Sequence, residues 1–215
     1  MSKNIDPTAI VYPNVTIGEG AVVEPFAILG IHDRFHPHST TIIGRDSFIG
    51  SRCMVYDSVT AGDSFDISDQ SSVFYDNIIG DRCRIGPKAV IKNGCRIGSN
   101  VRIQAHTFLE RVILGSNVFI GPGTVFTDDR HPPCPHNADC TPVTKIDDFV
   151  SIGANVTITP GITIGHHTQV YAGSVIVADV EAYSVMVGNP ARRIKDFREL
   201  KCGPGLLNHP FESWK

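Results

Sequence analysis

The chain has 215 residues, 41% of them hydrophobic, and 19 Lys and Arg against 22 Asp and Glu give a formal net charge of −3. That length suits one domain with a short tail, and the slightly acidic balance argues against nucleic acid or an anionic membrane as the main partner. No stretch is long and apolar enough to span a bilayer, and Met1 to Asp6 contain no apolar signal segment, so a cytoplasmic location is expected.

In chain order, an aliphatic residue recurs at every sixth position: Val11, Ile17, Val23 and Leu29, then without a slip from Ile43 through Ile67, Ile85 and Ile103 to Leu109. After a step one residue short, the beat continues at Leu114, Ile120 and Phe126, and it returns from Ile146 to Ile176. Two residues before most of these sites stands a small or β-branched residue, such as Ala27, Cys53, Cys83, Ala89, Cys95 or Thr107, and glycine often follows the aliphatic, as in Ile85-Gly86 and Ile97-Gly98. Period six fits neither an amphipathic helix nor a hairpin meander; it is the hexapeptide signature of a parallel β-helix. Three six-residue sides make one triangular coil, with the aliphatic and the small residue pointing inward and glycine or a polar residue relieving the corner. About eight stacked coils are expected, a column about 40 Å tall at a strand spacing near 4.8 Å.

Two interruptions have no packing reason to exist and are therefore where function is expected. One runs from Gly30 to Thr41 and contains His32, His36 and His38; the other runs from Thr127 to Val143 and contains Asp128, Asp129, His131, Cys134, His136 and Cys140. Both must loop out from a corner. The second is stiffened by Pro132, Pro133 and Pro135, which restrict themselves and the residues before them. Beyond Val177 the beat is lost. Residues 1–180 therefore read as the β-helix and 181–215 as a C-terminal turn and capping tail, a short helix or extended segment with Trp214 near its end.

The hexads, the extruded loop after Phe-Thr-Asp-Asp, the stretch Ser151 to Gly165 and the run Val187-Gly-Asn-Pro-Ala-Arg192 resemble the hexapeptide-repeat acyltransferases, notably sugar O-acetyltransferases and nucleotide-sugar N-acetyltransferases. The resemblance implies an all-β fold, a left-handed parallel β-helix with two extruded loops and a short tail. It also implies a homotrimer with sites between neighbouring prisms, and acetyl-CoA as co-substrate for a sugar or nucleotide-sugar acceptor. In the O-acetyltransferases the general base is a histidine followed by proline in this loop, which His131-Pro132 matches. An imidazole that titrates near neutrality suits proton removal from the attacking group, and Asp128 or Asp129 would hold its ring. The nucleotide-sugar N-acetyltransferases often have tyrosine there, so the histidine tilts toward an enzyme-supplied base without choosing between hydroxyl and amine.

His106 stands where the resembling enzymes carry asparagine, and is expected on the outer wall beside the reacting centre. Gln104 and Glu110 are the candidate acceptor contacts. Gly153, Ala154, Ala172 and Gly173 match positions that expose coil backbone to the pantetheine amides, and Arg192, Arg193 and Lys195 supply cations for the phosphates of the coenzyme.

Other readings weigh less. His131, Cys134, His136 and Cys140 have the softness and number for a zinc clip, but their spacing matches no familiar finger and the prolines restrict wrapping. No metal is expected. A rival enzyme on this fold, a γ-class carbonic anhydrase, would take a third zinc ligand from the position of Cys95, which is an inward repeat residue. A non-catalytic binding β-helix would need neither the His-Pro loop nor the arginine cluster.

Overall fold

The computed structural model describes residues 4–32, 39–136, 139 and 142–212; His36, His38, Cys140 and Trp214 lie outside the described residues. The chain winds as a left-handed β-helix of about 10 turns. Three sheets line the prism, of eleven, nine and eight strands, here called the long, middle and short faces. The chain visits them in the order long, middle, short. The prism therefore has a long–middle, a middle–short and a short–long edge.

Each strand pairs in parallel with the one a coil above, and inward residues stack on inward residues. On the long face Ile67 pairs with Ile85, Ile85 with Ile103 and Ile103 with Ile120. Backbone bonds such as Arg84 N–H to Val101 O, 2.9 Å, and Gly86 N–H to Ile103 O, 2.7 Å, join the coils. Every aliphatic named above on the six-residue beat from Ile17 onward is buried, as are Ala27, Cys53, Cys83, Ala89, Cys95 and Thr107. The small inward positions have a second task, because their polar atoms satisfy corner carbonyls. Ser71 donates to Gly86 O at 2.8 Å, and Thr124 to Gly153 O at 2.9 Å.

The glycine after the aliphatic acts differently from the expected corner relief. At Gly86 an added Cβ would lie 2.6 Å from the Ala105 nitrogen of the next coil, so glycine is required by close stacking. The left-handed corner conformation falls two residues later and is taken mostly by other residues, including Lys88 at φ 58° and His106 at φ 58°.

The stack is taller than the hexad beat indicates. It begins at Asn4–Ile5, which pairs with Val22–Val23. At the top, Ser184–Gly188 continues the long face in parallel with Gln169–Val170, then turns back antiparallel as Ala191–Asp196. The tail thus opens as an extended hairpin, followed by a short 3-10 turn at Phe197–Glu199 and then turns and bends up to Glu212. Among the described residues no helix is long and apolar enough to cross a membrane.

Ile85 and Arg84 separate the two roles of one strand. Ile85→Ala should cost about 2–5 kcal/mol through the cavity it leaves, while the exposed neighbour Arg84→Ala should change stability by no more than about 0.5 kcal/mol. Denaturant titration of both variants checks this; equal losses would contradict the assigned inward register.

Candidate active site

The expected site residues gather on two edges of the prism, on either side of the middle face. On the long–middle edge, His106 occupies the corner between Arg102–Ile103 and Phe108–Leu109. Its backbone N–H bonds Pro87 O at 3.1 Å, and its side chain is exposed. Gln104 lies at the start of the same corner, half-buried, and its carbonyl accepts from Thr107 Oγ1 at 2.8 Å.

Above His106 the same edge is small and backbone-rich. Gly123 N–H bonds Ala105 O, Asn155 N–H bonds Pro122 O, and Gly173 N–H bonds Ala154 O, so these corners stack in successive coils. Gly153 would place a Cβ 2.5 Å from Ala172 N, whereas nothing lies within 4 Å of a Cβ built at Gly173. Gly153, Ala154, Ala172 and Gly173 therefore form a column with exposed backbone at its top. The hairpin Ser184–Gly188/Ala191–Asp196 crowns this edge, since Gly188 N–H reaches Ser174 Oγ at 3.2 Å.

Arg192, Arg193 and Lys195 are exposed on the last strand. Arg193 is 3.2 Å from Asp196, whose carboxyl also takes two bonds from the Arg198 side chain at 2.8 and 2.7 Å. The bonded Arg198 guanidinium holds Asp196 well below the usual carboxylate range. Among the described residues Arg192 and Lys195 have no carboxylate partner.

The middle–short edge carries the other group. The loop leaves after Val125–Phe126 of the middle face and returns at Thr144–Ile146 of the short face. Asp129 organises its first turn: one carboxylate oxygen accepts from His131 N–H and the other from Cys134 N–H, each at 2.8 Å. Arg130 ties the loop to the wall through Pro160 O at 3.4 and 3.3 Å. His131 is exposed. Asp129 thus holds the backbone that presents His131, and its oxygens are taken by main-chain donors.

Asp128 instead faces Glu110 at the foot of the loop, both half-buried around a small crevice with Thr127 and Thr144. Burial pushes the Glu110 carboxyl above its ordinary range, and the charge of Asp128 adds to this. Cys95 points into the prism, where burial raises its thiol to about 11, so it is protonated at neutral pH and turned away from the loop. Among the described residues no three His, Cys, Asp or Glu side chains converge to hold a metal ion.

Sequence reasoning placed His106 beside the reacting centre that His131 would serve without assigning either to an edge, and within one chain the two stand on different edges. His106, Gln104 and the small-residue column share the long–middle edge, and His131, Asp128, Asp129 and Glu110 the middle–short edge. Gly123, which continues the column between His106 and Ala154, escaped notice, although it follows the Ile120-Gly121 step as Gly173 follows Val170.

Comparison with known proteins agrees with this architecture. Residues 78–111 match the bacterial transferase hexapeptide (six repeats) family, and residues 40–67 and 143–178 match the hexapeptide repeat of succinyl-transferase. The chain thus carries transferase-type hexapeptide repeats on a left-handed β-helix, which supports the acyltransferase resemblance. It is 27% identical over 203 residues to the bifunctional protein GlmU of Heliobacterium modesticaldum, covering 89% of this chain and 42% of that protein. The chain thus spans less than half the length of the curated relatives it matches. In fold it is similar to the UDP-N-acetylglucosamine acyltransferase from Campylobacter jejuni (TM-score 0.71, 18% identity, 90% of this chain and 75% of that one). It is also similar to the polySia specific acetyltransferase NeuO (TM-score 0.56, 18% identity, 85% of this chain and 80% of that one).

The Glu110 environment has a pH signature. A carboxyl raised in the folded state favours folding when protonated, and that contribution is lost as pH rises through the folded value. Glu110→Gln should therefore be more stable than the wild type at pH 7, with the gap closing as pH falls through the raised folded value toward the ordinary 4.5. Thermal melts across that range check it; a gap that widens toward acid would place the carboxylate in a favourable ion pair instead.

Proposed function

We propose that this chain transfers an acetyl group from acetyl-CoA to a sugar or nucleotide-linked amino sugar, in a site assembled between two copies of the chain. The observation that carries the reading is the placement of the two residue groups on opposite edges of one apolar face. Outward residues of the middle face form a column of Ile10, Ile28, Met54, Ser72, Val90, Phe108, Val125, Thr157 and Val175, without a charge. Its exposed members include Ile10 at 52% and Met54 at 38%. A contiguous apolar surface of this kind marks a contact between proteins. In a cyclic trimer packed through this face, the middle–short edge of one protomer meets the long–middle edge of the next.

The chemistry follows from that meeting. Coenzyme A lies along the long–middle edge, its pantetheine amides on the backbone of Gly153, Ala154, Ala172 and Gly173, its phosphates toward Arg192, Arg193 and Lys195. His131 of the adjoining protomer takes the proton from the acceptor hydroxyl or amine as that group attacks the thioester carbonyl. The new C–O or C–N bond forms, the C–S bond breaks, and the proton passes to the departing thiolate. His106 donates a hydrogen bond beside the reacting carbonyl, with Gln104 and Glu110 positioned for the acceptor. The Cys95 and His131 environments give no support to a carbonic anhydrase reading.

His131→Ala should lower kcat by about 10²- to 10⁴-fold with little change in coenzyme A affinity. Because the two halves come from different chains, refolding His131→Ala together with His106→Ala should restore thiol release well above either variant alone. Absence of restoration, or a single 23.4 kDa chain in solution, would remove the intersubunit site.

Arg192→Ala with Arg193→Ala should weaken coenzyme A binding by about 1–3 kcal/mol if each makes a charge-assisted bond to phosphate. Titration against a pantetheine fragment lacking the nucleotide is the control. Equal losses for both ligands would indicate a general effect on the hairpin.

A further inference from the structure

A further surface feature lies on neither of these edges. A groove of about 850 Å³ runs over the long face beside the short–long edge, and its floor holds Arg84 and Arg102, with Arg82 at the corner. Arg84 and Arg102 are direct register partners in adjacent coils, so the two side chains leave the sheet about one strand spacing, roughly 4.8 Å, apart. Like charges placed opposite one another across a sheet are destabilising, and the chain does little to offset them. Arg84 reaches Asp66 only at 4.0 Å, with both side chains well exposed. Arg102 has no ion-pair partner among the described residues. Arg82 is held by the neutral side chain of Asn100, through Nε to Oδ1 at 2.7 Å.

An uncompensated arginine ladder in a groove fits an oxyanion with several acceptor oxygens, since each guanidinium offers a planar fork to phosphate. The next rung above Arg102 is Phe119, and Phe211 of the C-terminal tail forms a wall of the same groove. Two aromatic rings beside a cationic ladder add a surface on which a base can stack. The strand that carries Arg102 continues directly to the His106 corner. Arg102 and His106 are four positions apart, at most about 13 Å of extended chain, the gap that a diphosphate-linked sugar has to bridge.

We infer that the Arg84–Arg102 groove binds the nucleoside diphosphate of a nucleotide-linked sugar acceptor, directing its sugar along the coil toward His106. This rests on the acetyltransferase reading for the fate of the sugar, while binding of the nucleotide stands independently of it. Coenzyme A also carries a nucleoside diphosphate, so the test must separate the two sources.

Calorimetric titrations with UDP, GDP and coenzyme A would be run on the wild type, on Arg84→Gln/Arg102→Gln and on Arg192→Ala/Arg193→Ala. UDP or GDP should bind the wild type and lose at least tenfold in affinity in the Arg84→Gln/Arg102→Gln variant, whose melting temperature should be no lower than that of the wild type because a like-charge pair is removed. The same ligand should bind the Arg192/Arg193 variant unchanged, and coenzyme A should show the opposite pattern. Arg84→Lys/Arg102→Lys serves as a second variant that keeps the charge and loses the fork; an intermediate loss supports the inference. Failure of both nucleotides to bind at millimolar concentration overturns it, as does unchanged binding in the Arg84/Arg102 variants. Coenzyme A affinity that falls with Arg84 and Arg102 would overturn it by assigning the groove to the coenzyme. Thiol release with simple glycosides would still report on acetyl transfer in each case, so the two readings fail separately.

Discussion

Stacking of each coil on the next in fixed register is the constraint on which the rest of this molecule depends. A parallel ladder joins residue to residue through bonds such as Ile78 N–H to Cys95 O and Gly80 N–H to Ile97 O. Once the inward aliphatics are aligned, every outward residue is aligned too, because neighbouring residues on a strand point to opposite sides. The prism therefore turns sequence into vertical columns. Each coil touches only its neighbours, so a column can change character from one face to another at no cost to the core. The middle face presents an almost wholly apolar column, and the long face places Asp66, Arg84 and Arg102 in the same geometric role.

The same constraint explains why a large insertion is tolerated. Val112, Ile113 and Leu114 pair with Thr144, Lys145 and Ile146 across the whole extruded loop. The ladder closes as though the loop were absent, and the loop's conformation is left to local chemistry. Asp129 supplies that chemistry with two main-chain bonds and Arg130 with a tether to Pro160 O. A corner loop on such a scaffold is fixed at its root and variable at its tip, where binding and catalytic groups are commonly held.

The core was legible in the sequence because six-residue periodicity and burial are the same fact seen twice: Ile85 or Cys83 can only point inward. The tail was less so. Val185 joins the long face without a preceding hexad, so the beat ended one coil too early. Corner glycines were misread in mechanism, because their conformational freedom is visible in the residue type and the approach of the next coil is not. The division of the candidate site between two edges was available in principle. Counting hexads from Ile103 to Phe126 gives four sides, one more than a full turn, so His106 and the loop cannot share an edge. The arginine ladder was likewise encoded, since Arg84 and Arg102 stand one coil apart, as do Arg82 and Asn100. A period-six reading looks inward and passes over it.

The division of the two edges bears on how a base at His131 would be oriented. A general base works through a ring held in one tautomer and one direction. Asp128 or Asp129 was the expected holder, yet both oxygens of Asp129 are engaged by the amides of His131 and Cys134, and Asp128 lies against Glu110. Among the described residues the His131 ring has no hydrogen-bond partner. A single chain therefore presents the imidazole and leaves its direction open. In the proposed assembly the missing partner comes from the adjoining protomer's long–middle edge or from the acceptor itself. Orientation of the base would then be coupled to assembly and to substrate arrival, and an isolated chain would hold the parts of a site without its geometry.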